Sequence, residues 1–194
     1  MKKEILERYE HTLNGEVIID ISAKRVEDLY SNFDKKSHFL KKDLNQDLVE
    51  YMIESATEIE QEKFIIRFNL ESDVDSEATS RISNSVNKFF TYMQEHERRN
   101  MKEMLRKSLI LFTVGAVIAT ISVFMNKSQL MQSSIAFAVI AEGLTVAAWV
   151  SLWESLATFL IRWTPYKNKV SLYERISNAK IIFSKSLPRL NQFR

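Results

Sequence analysis

The sequence has no cysteine, three glycines and two prolines among its 194 residues. The absence of thiols excludes disulfide frameworks, zinc ribbons, iron–sulfur clusters and thiolate nucleophiles together, and gives no sign of an oxidising compartment. With Gly15, Gly115 and Gly143 alone, no phosphate-cradling loop can be written, which excludes the Walker and dinucleotide fingerprints. His11, His38 and His96 fall in different predicted elements without metal-ligand spacing. No serine stands in a G-x-S-x-G turn. The composition therefore points to no cofactor, no bound metal and no enzymatic activity.

Disorder is also excluded, since 45% of the residues are hydrophobic and 11% aromatic. The formal net charge of +2 conceals segregation. Residues 1–107 hold 18 Lys/Arg against 22 Asp/Glu, residues 108–161 hold 1 against 2, and residues 162–194 hold 8 against 1. A 54-residue stretch with three charges reads as membrane. Within it, 108–125 (SLILFTVGAVIATISVFM) is 18 residues without a charge, just long enough at ~1.5 Å per residue to cross most of a ~30 Å hydrocarbon core. A second apolar stretch, 133–161, carries Glu142 and Glu154. Its 29 residues exceed one perpendicular span, so its last turns are expected to emerge as a continuing helix with Glu154 near the headgroups.

The flanks give the orientation. Arg98, Arg99, Lys102, Arg106 and Lys107 precede the first span and Arg162, Lys167, Lys169 and Arg175 follow the second, whereas the connection NKSQLMQSS carries only Lys127. By the positive-inside bias both ends of the hairpin belong in the cytoplasm. The start, MKKEILERYEHTL, lacks an apolar core of the signal-peptide kind, so the first span is expected to serve as the insertion signal. Trp149, Trp153, Trp163 and Tyr166 fit an aromatic belt at the inner interface.

For the remainder, hydrophobic spacing predicts a first helix through Ile5, Leu6, Tyr9 and Leu13, ended by Asn14-Gly15. A strand follows over 16–22, then a helix carrying Val26, Leu29, Tyr30 and Phe33, a helix over about 45–60, and a strand over 63–70. Asp73, Asp75 and Glu77 suit helix N-capping better than calcium binding, because the glycine and closing glutamate of a calcium loop are missing. One helix is expected from about residue 76 through the first span, roughly 50 residues and ~75 Å long, as a stalk able to transmit rotation or tilt. Thr164-Pro165 should end the second long helix. A short helix over 170–179 and a third strand over 180–185 then complete the domain. The fold class is thus an α+β membrane protein, with a small cytosolic α/β domain of three short strands and helices into which a two-helix transmembrane hairpin is inserted. Its segments are 1–75 (first part of the domain), 76–107 (stalk), 108–161 (hairpin) and 162–194 (basic tail completing the domain).

Glu142 is the residue that carries chemistry. An ionised side chain deep in a span costs about 2.5–3.5 kcal/mol even on the lenient insertion scale. The first span offers no cation. Folding the hairpin about residue 129 brings Glu142 near Ala116, with the hydroxyls of Thr113 and Thr120 within about a turn. Three roles stay open: a protonated carboxyl that glues helices, a carboxylate lining a water-filled path in an oligomer, or a proton carrier. Trp149 and Trp153 lie within about 20° of the Glu142 direction and Glu154 some 120° away. Gly115 with Ala119, and Gly143 with Ala147, form small-xxx-small pairs that permit close helix approach. Lys35, Lys36, Lys41 and Lys42 offer a phosphate-binding cluster, and the basic tail suits anionic lipid. Nucleic acid is not expected, because the N-terminal part is net acidic.

The stretches VEDLYSNFD, EGLTVAAWVSLWE and LYERISNAKIIF resemble a group of small bacterial membrane proteins with two transmembrane helices. The resemblance extends over most of the chain, implies that architecture and transfers no catalytic residue. In architecture the chain also looks like bacterial membrane effectors of toxin or phage-defence systems, which perturb the membrane after oligomerising. The expectation is a multi-pass inner-membrane protein, both termini cytoplasmic. Its partners are the lipid bilayer, further copies of itself and a cytosolic protein. Either it is an ion-conducting or membrane-permeabilising effector, or it is a membrane-anchored adaptor without transport activity.

Overall fold

The computed structural model describes residues 6–31, 43–72, 74–127 and 135–185. The elements in chain order are β1 (Glu10–His11), β2 (Val17–Ala23), a 3₁₀ turn (Val26–Leu29), α1 (Gln46–Glu58), β3 (Phe64–Leu70), α2 (Ser76–Lys127), α3 (Ile135–Ser177) and β4 (Lys180–Lys185). The fold is α+β, with one small mixed sheet and two long apolar helices.

The β-branched and aromatic runs VIIDISA and FIIRFNL make the two central strands, which pair in parallel with Val17 opposite Phe64 and Ala23 opposite Leu70. Beyond β3 comes β4, also parallel, with Ile181 opposite Ile66 and Phe183 opposite Phe68. The sheet order is β1-β2-β3-β4. Parallel neighbours require crossovers. The first is α1; the second contains the whole of α2 and α3.

Contacts divide the chain into two compact units, one formed by Met1–Glu95 with Ser171–Arg194 and the other by His96–Val170. The divisions fall inside α2 and α3 rather than at their ends. In the first unit the alternate residues Val17, Ile19, Ile21, Phe64, Ile66 and Phe68 share one sheet face and are buried. Met52, Ala56 and Ile59 of and beside α1 pack with them, together with Ile82, Val86 and Phe90 at four-residue spacing on α2 and Tyr173 and Ile176 near the end of α3. The rings of Phe68 and Phe183 stack at 5.7 Å, and Phe90 lies 6.1 Å from Tyr173. Both ends of the chain thus contribute to one core.

The structure corrects the sequence reading at four places. The sheet has four strands, because 10–11 form β1, antiparallel to β2, where a helix through Tyr9 and Leu13 was expected. Gly15, at φ +79°, turns the chain back between them, and Thr12 N–H and carbonyl close that turn against Glu16 and Gly15. Tyr9 instead reaches the core and donates its hydroxyl to Glu58. The expected helix carrying Val26 to Phe33 is only the four-residue 3₁₀ turn, after which Tyr30 is extended and bridges Leu44; Phe33 lies outside the described residues. At the C-terminal end, α3 runs through Pro165 to Ser177, so neither the stop at Thr164-Pro165 nor a separate helix over 170–179 exists. Proline removes one helical donor. The helix persists because it is held by packing on both sides, through Ser155 before the proline and Tyr173 and Ile176 after it.

Other expectations meet the structure directly. Asn45 caps α1, its side chain accepting from Asp47 N–H at 2.9 Å, and Asp75 caps α2, accepting from Ala78 N–H at 2.7 Å. Asp73 and the lysines at 35, 36, 41 and 42 lie outside the described residues.

Candidate functional site

In the second unit, α2 and α3 lie side by side, and apart from Met104 their buried positions follow a seven-residue repeat: Ser108, Gly115 and Ser122 on α2, and Ala141, Ala148 and Ser155 on α3. A strict seven-residue spacing keeps one seam facing its partner along the length of a helix pair. Small residues at every seam position let the backbones approach closely. Hydroxyls fasten both ends. Ser108 Oγ donates to the Ser155 carbonyl and Ser155 Oγ to the Ser108 carbonyl, each at 2.8 Å. Fourteen residues along α2, Ser122 Oγ lies 2.6 Å from Thr145 Oγ1 and 3.1 Å from the Ala141 carbonyl. Between them Gly115 meets Ser151 and Leu152, where an added Cβ would stand 3.0 Å from Ser151 Cβ and 3.1 Å from Leu152 Cγ.

This register differs from folding about residue 129. The pairs Ser108–Ser155 and Ser122–Ala141 are both centred between residues 131 and 132. Glu142 therefore stands level with Ile121 rather than Ala116. Thr113 and Thr120 do not approach it: their hydroxyls donate to the Leu109 and Ala116 carbonyls of their own helix, at 2.9 and 2.8 Å. The seam, whose small residues must meet, sets the register.

Glu142 itself is exposed on the flank of α3, about 100° round from the seam by helical geometry. It makes no hydrogen bond or ion pair with any described residue. Trp149 and Trp153, each 70% exposed, lie on the same flank. Trp149 stands level with Val114, several residues inside the charge-free run, so it lies deeper than the Trp163 and Tyr166 that follow that run on α3. Trp163 packs against Phe159, ring centroids 5.1 Å apart. Glu154 is exposed on the far side of α3. Of the small-residue pairs, Gly115 is buried in the seam and Ala119 half-buried beside it, whereas Gly143 and Ala147 are exposed on the outer side of α3. An added Cβ at Gly143 meets nothing within 4 Å. The serines of the seam are what sequence reasoning missed. Their signal was present, as seven-residue spacing of Ser and Gly through an otherwise apolar run.

The first unit carries a polar cluster of its own. Arg67 of β3 donates Nε to Asp20 Oδ1 at 2.5 Å and an Nη to Glu10 at 2.5 Å, and Asn69 donates to the same Asp20 oxygen at 3.0 Å. Hydrogen bonding to Asp20, and then to Glu10, raises the guanidinium above its ordinary value. One cation held by two carboxylates is satisfied internally, an arrangement that fixes β1, β2 and β3 in register. Burial lowers Arg175, which donates to the Glu62 carbonyl at 2.9 Å and lies over the Phe64 ring at 5.1 Å. Among the described residues no group of three or more His, Asp or Glu side chains is placed to hold a metal ion.

α2 and α3 each contain an 18-residue window long and apolar enough to cross a membrane, of which 17% and 11% respectively is buried. An apolar core helix of a soluble protein would be mostly covered. No family model, no curated protein and no solved structure matches the chain.

Proposed function

We propose that the protein is an oligomeric inner-membrane protein, spanning twice with both termini cytoplasmic. In this reading the α+β unit senses or docks a cytosolic protein, and the long helices couple it to a hairpin that assembles with other copies. The assembly conducts ions or permeabilises the membrane, with Glu142 facing its interior.

The orientation of Glu142 carries this reading. The hydroxyls of Ser108, Ser122, Thr145 and Ser155 are spent on the seam and those of Thr113 and Thr120 on their own helix carbonyls, and no described residue bonds the carboxyl. A single hairpin in lipid would leave that group in hydrocarbon, at a cost of about 2.5–3.5 kcal/mol. Neighbouring copies remove the cost by lining a shared water-filled path, where a ring of carboxylates favours cations. The exposed Gly143 and Ala147 on the outer side of α3 allow close approach of such a neighbour. Trp149 and Trp153 supply contact area along the flank that Glu142 occupies.

Conductance of the purified protein in liposomes tests this. The wild type is expected to pass a cation-selective current that Glu142→Gln reduces severalfold or renders unselective. Absence of current from both forms contradicts the conducting role. Loss of detergent-stable oligomers in the variant, with no current from either, identifies Glu142 as a structural acid of a membrane-anchored adaptor.

A further inference from the structure

On the side of the hairpin away from its connection, the apolar stretches of α2 and α3 stop within about two helical turns of each other. The first charged residue before the run on α2 is Lys107, and the first after Ser155 on α3 is Arg162. Both line one cavity of about 220 Å³ within the second unit, together with Asn100, Glu103, Met104, Thr158 and Tyr166. Lys107 Nζ pairs with Glu103 at 2.7 Å, and that ammonium holds the Glu103 carboxyl below its ordinary range. Arg162 makes no hydrogen bond or ion pair with any described residue. The cavity thus has two cations, one carboxylate and a net charge of +1. It also holds neutral donors: the Asn100 amide, the Thr158 hydroxyl and the Tyr166 hydroxyl.

We infer that this cavity binds the phosphodiester of an anionic phospholipid, with Arg162 and Lys107 as the charged ligands. The inference rests on the membrane reading above. Its chemistry is that of a monoanionic phosphate. A guanidinium fork matches two phosphate oxygens, and Lys107 adds a point charge. The net +1 balances a phosphodiester's single negative charge, whereas free inorganic phosphate carries more. The position favours lipid too. The cavity spans the few turns over which the two apolar stretches stop, from Lys107 on α2 to Arg162 on α3, the region where headgroups would meet the hydrocarbon, and Met104 gives it an apolar wall.

The test uses the full-length protein, delipidated in detergent and then offered vesicles of phosphatidylcholine with phosphatidylglycerol. Native mass spectrometry counts the retained lipid. Wild type and a charge control, Lys127→Gln, are expected to retain phosphatidylglycerol. Arg162→Gln combined with Lys107→Gln is expected to lose about tenfold in retention, the effect of one good charge-assisted contact. Arg162→Lys, which keeps the charge without the fork, should retain an intermediate amount and serves where the double variant does not fold. Inorganic phosphate in excess should leave retention unchanged.

Equal retention by wild type and the double variant, or by wild type and Arg162→Gln alone where the double variant precipitates, overturns the site. Displacement of the lipid by inorganic phosphate overturns the lipid as its source and assigns the cavity to the free anion. Flotation of the same samples with phosphatidylcholine vesicles separates the two levels of the argument. Wild type that does not float sinks the membrane reading and this site with it. Wild type that floats but retains no phosphatidylglycerol sinks the site alone.

Discussion

At the residue scale, the first unit is governed by groups whose charge state the core constrains. Tyr30, 2% exposed, has its hydroxyl pushed above its ordinary 10.0 chiefly by burial, with the Ser85 side chain opposing in part. A raised folded value means that the neutral form is favoured on folding. The resulting stability is complete below pH 10.0 and is lost as pH rises through the folded value. One such group contributes a slope of at most about 1.4 kcal/mol per pH unit. Denaturation of the detergent-solubilised protein between about pH 9 and 11.5 should therefore show falling stability, and Tyr30→Phe should make the fall shallower. An identical slope in the variant would exclude Tyr30 as its origin. Tyr9, also raised by burial and by Glu58, accounts for alkaline sensitivity left in the variant. None of this was legible in the sequence, where Tyr30 was one apolar mark on an expected helix. The bridge to Leu44 that makes it a buried residue of extended chain is a tertiary contact, invisible to local periodicity.

At the scale of elements, the sequence was most informative where the pattern was long. The strands at 17–23, 64–70 and 180–185, the helix over 46–58 and the unbroken helix from Ser76 through the first apolar run all follow from spacing. Short or interrupted patterns misled. Leu6, Tyr9 and Leu13 fit a helical face, yet the turn at Gly15 and pairing to β2 favour a strand at Glu10–His11. Pro165 signalled a stop that packing on either side overrode. Loop position alone folds the hairpin about residue 129, whereas the seven-residue series of serine, glycine and alanine centres it between residues 131 and 132. That register is open to direct test, since a chain without cysteine accepts reporter pairs cleanly. Ser108 Oγ and Ser155 Oγ are 3.2 Å apart. Ser108→Cys with Ser155→Cys should form an intramolecular disulfide nearly quantitatively under mild oxidation, seen as a faster-migrating band. Ala116→Cys with Glu142→Cys, neighbours in a hairpin folded about residue 129, should not. The reverse outcome would disprove the seam.

At the scale of the whole molecule, two units with different surfaces share two helices. In the first, a sheet assembled from both ends of the chain buries its apolar side chains against α1 and the ends of α2 and α3. In the second, most apolar side chains are exposed, Leu109, Phe124, Val139 and Ile161 among them. In water such a surface would far exceed the few hundred Å² that soluble monomers leave uncovered. In lipid the same surface is at no disadvantage, and the seam satisfies its hydroxyls internally, as a hydrocarbon environment demands. The segregation of charge along the sequence made this division legible, with 3 charged residues over 108–161 against 40 over 1–107. The flank occupied by Glu142 was legible too, from helical angles. In the proposed assembly that flank is faced by other copies of the chain, and periodicity within one chain does not specify such a contact.

The central claim, that residues 108–161 reside in a bilayer, is tested most directly by washing vesicles from expressing cells with alkaline carbonate and assaying where the full-length protein partitions. The account predicts that it stays in the membrane pellet and leaves it only with detergent. Recovery of the protein in the carbonate supernatant would contradict it.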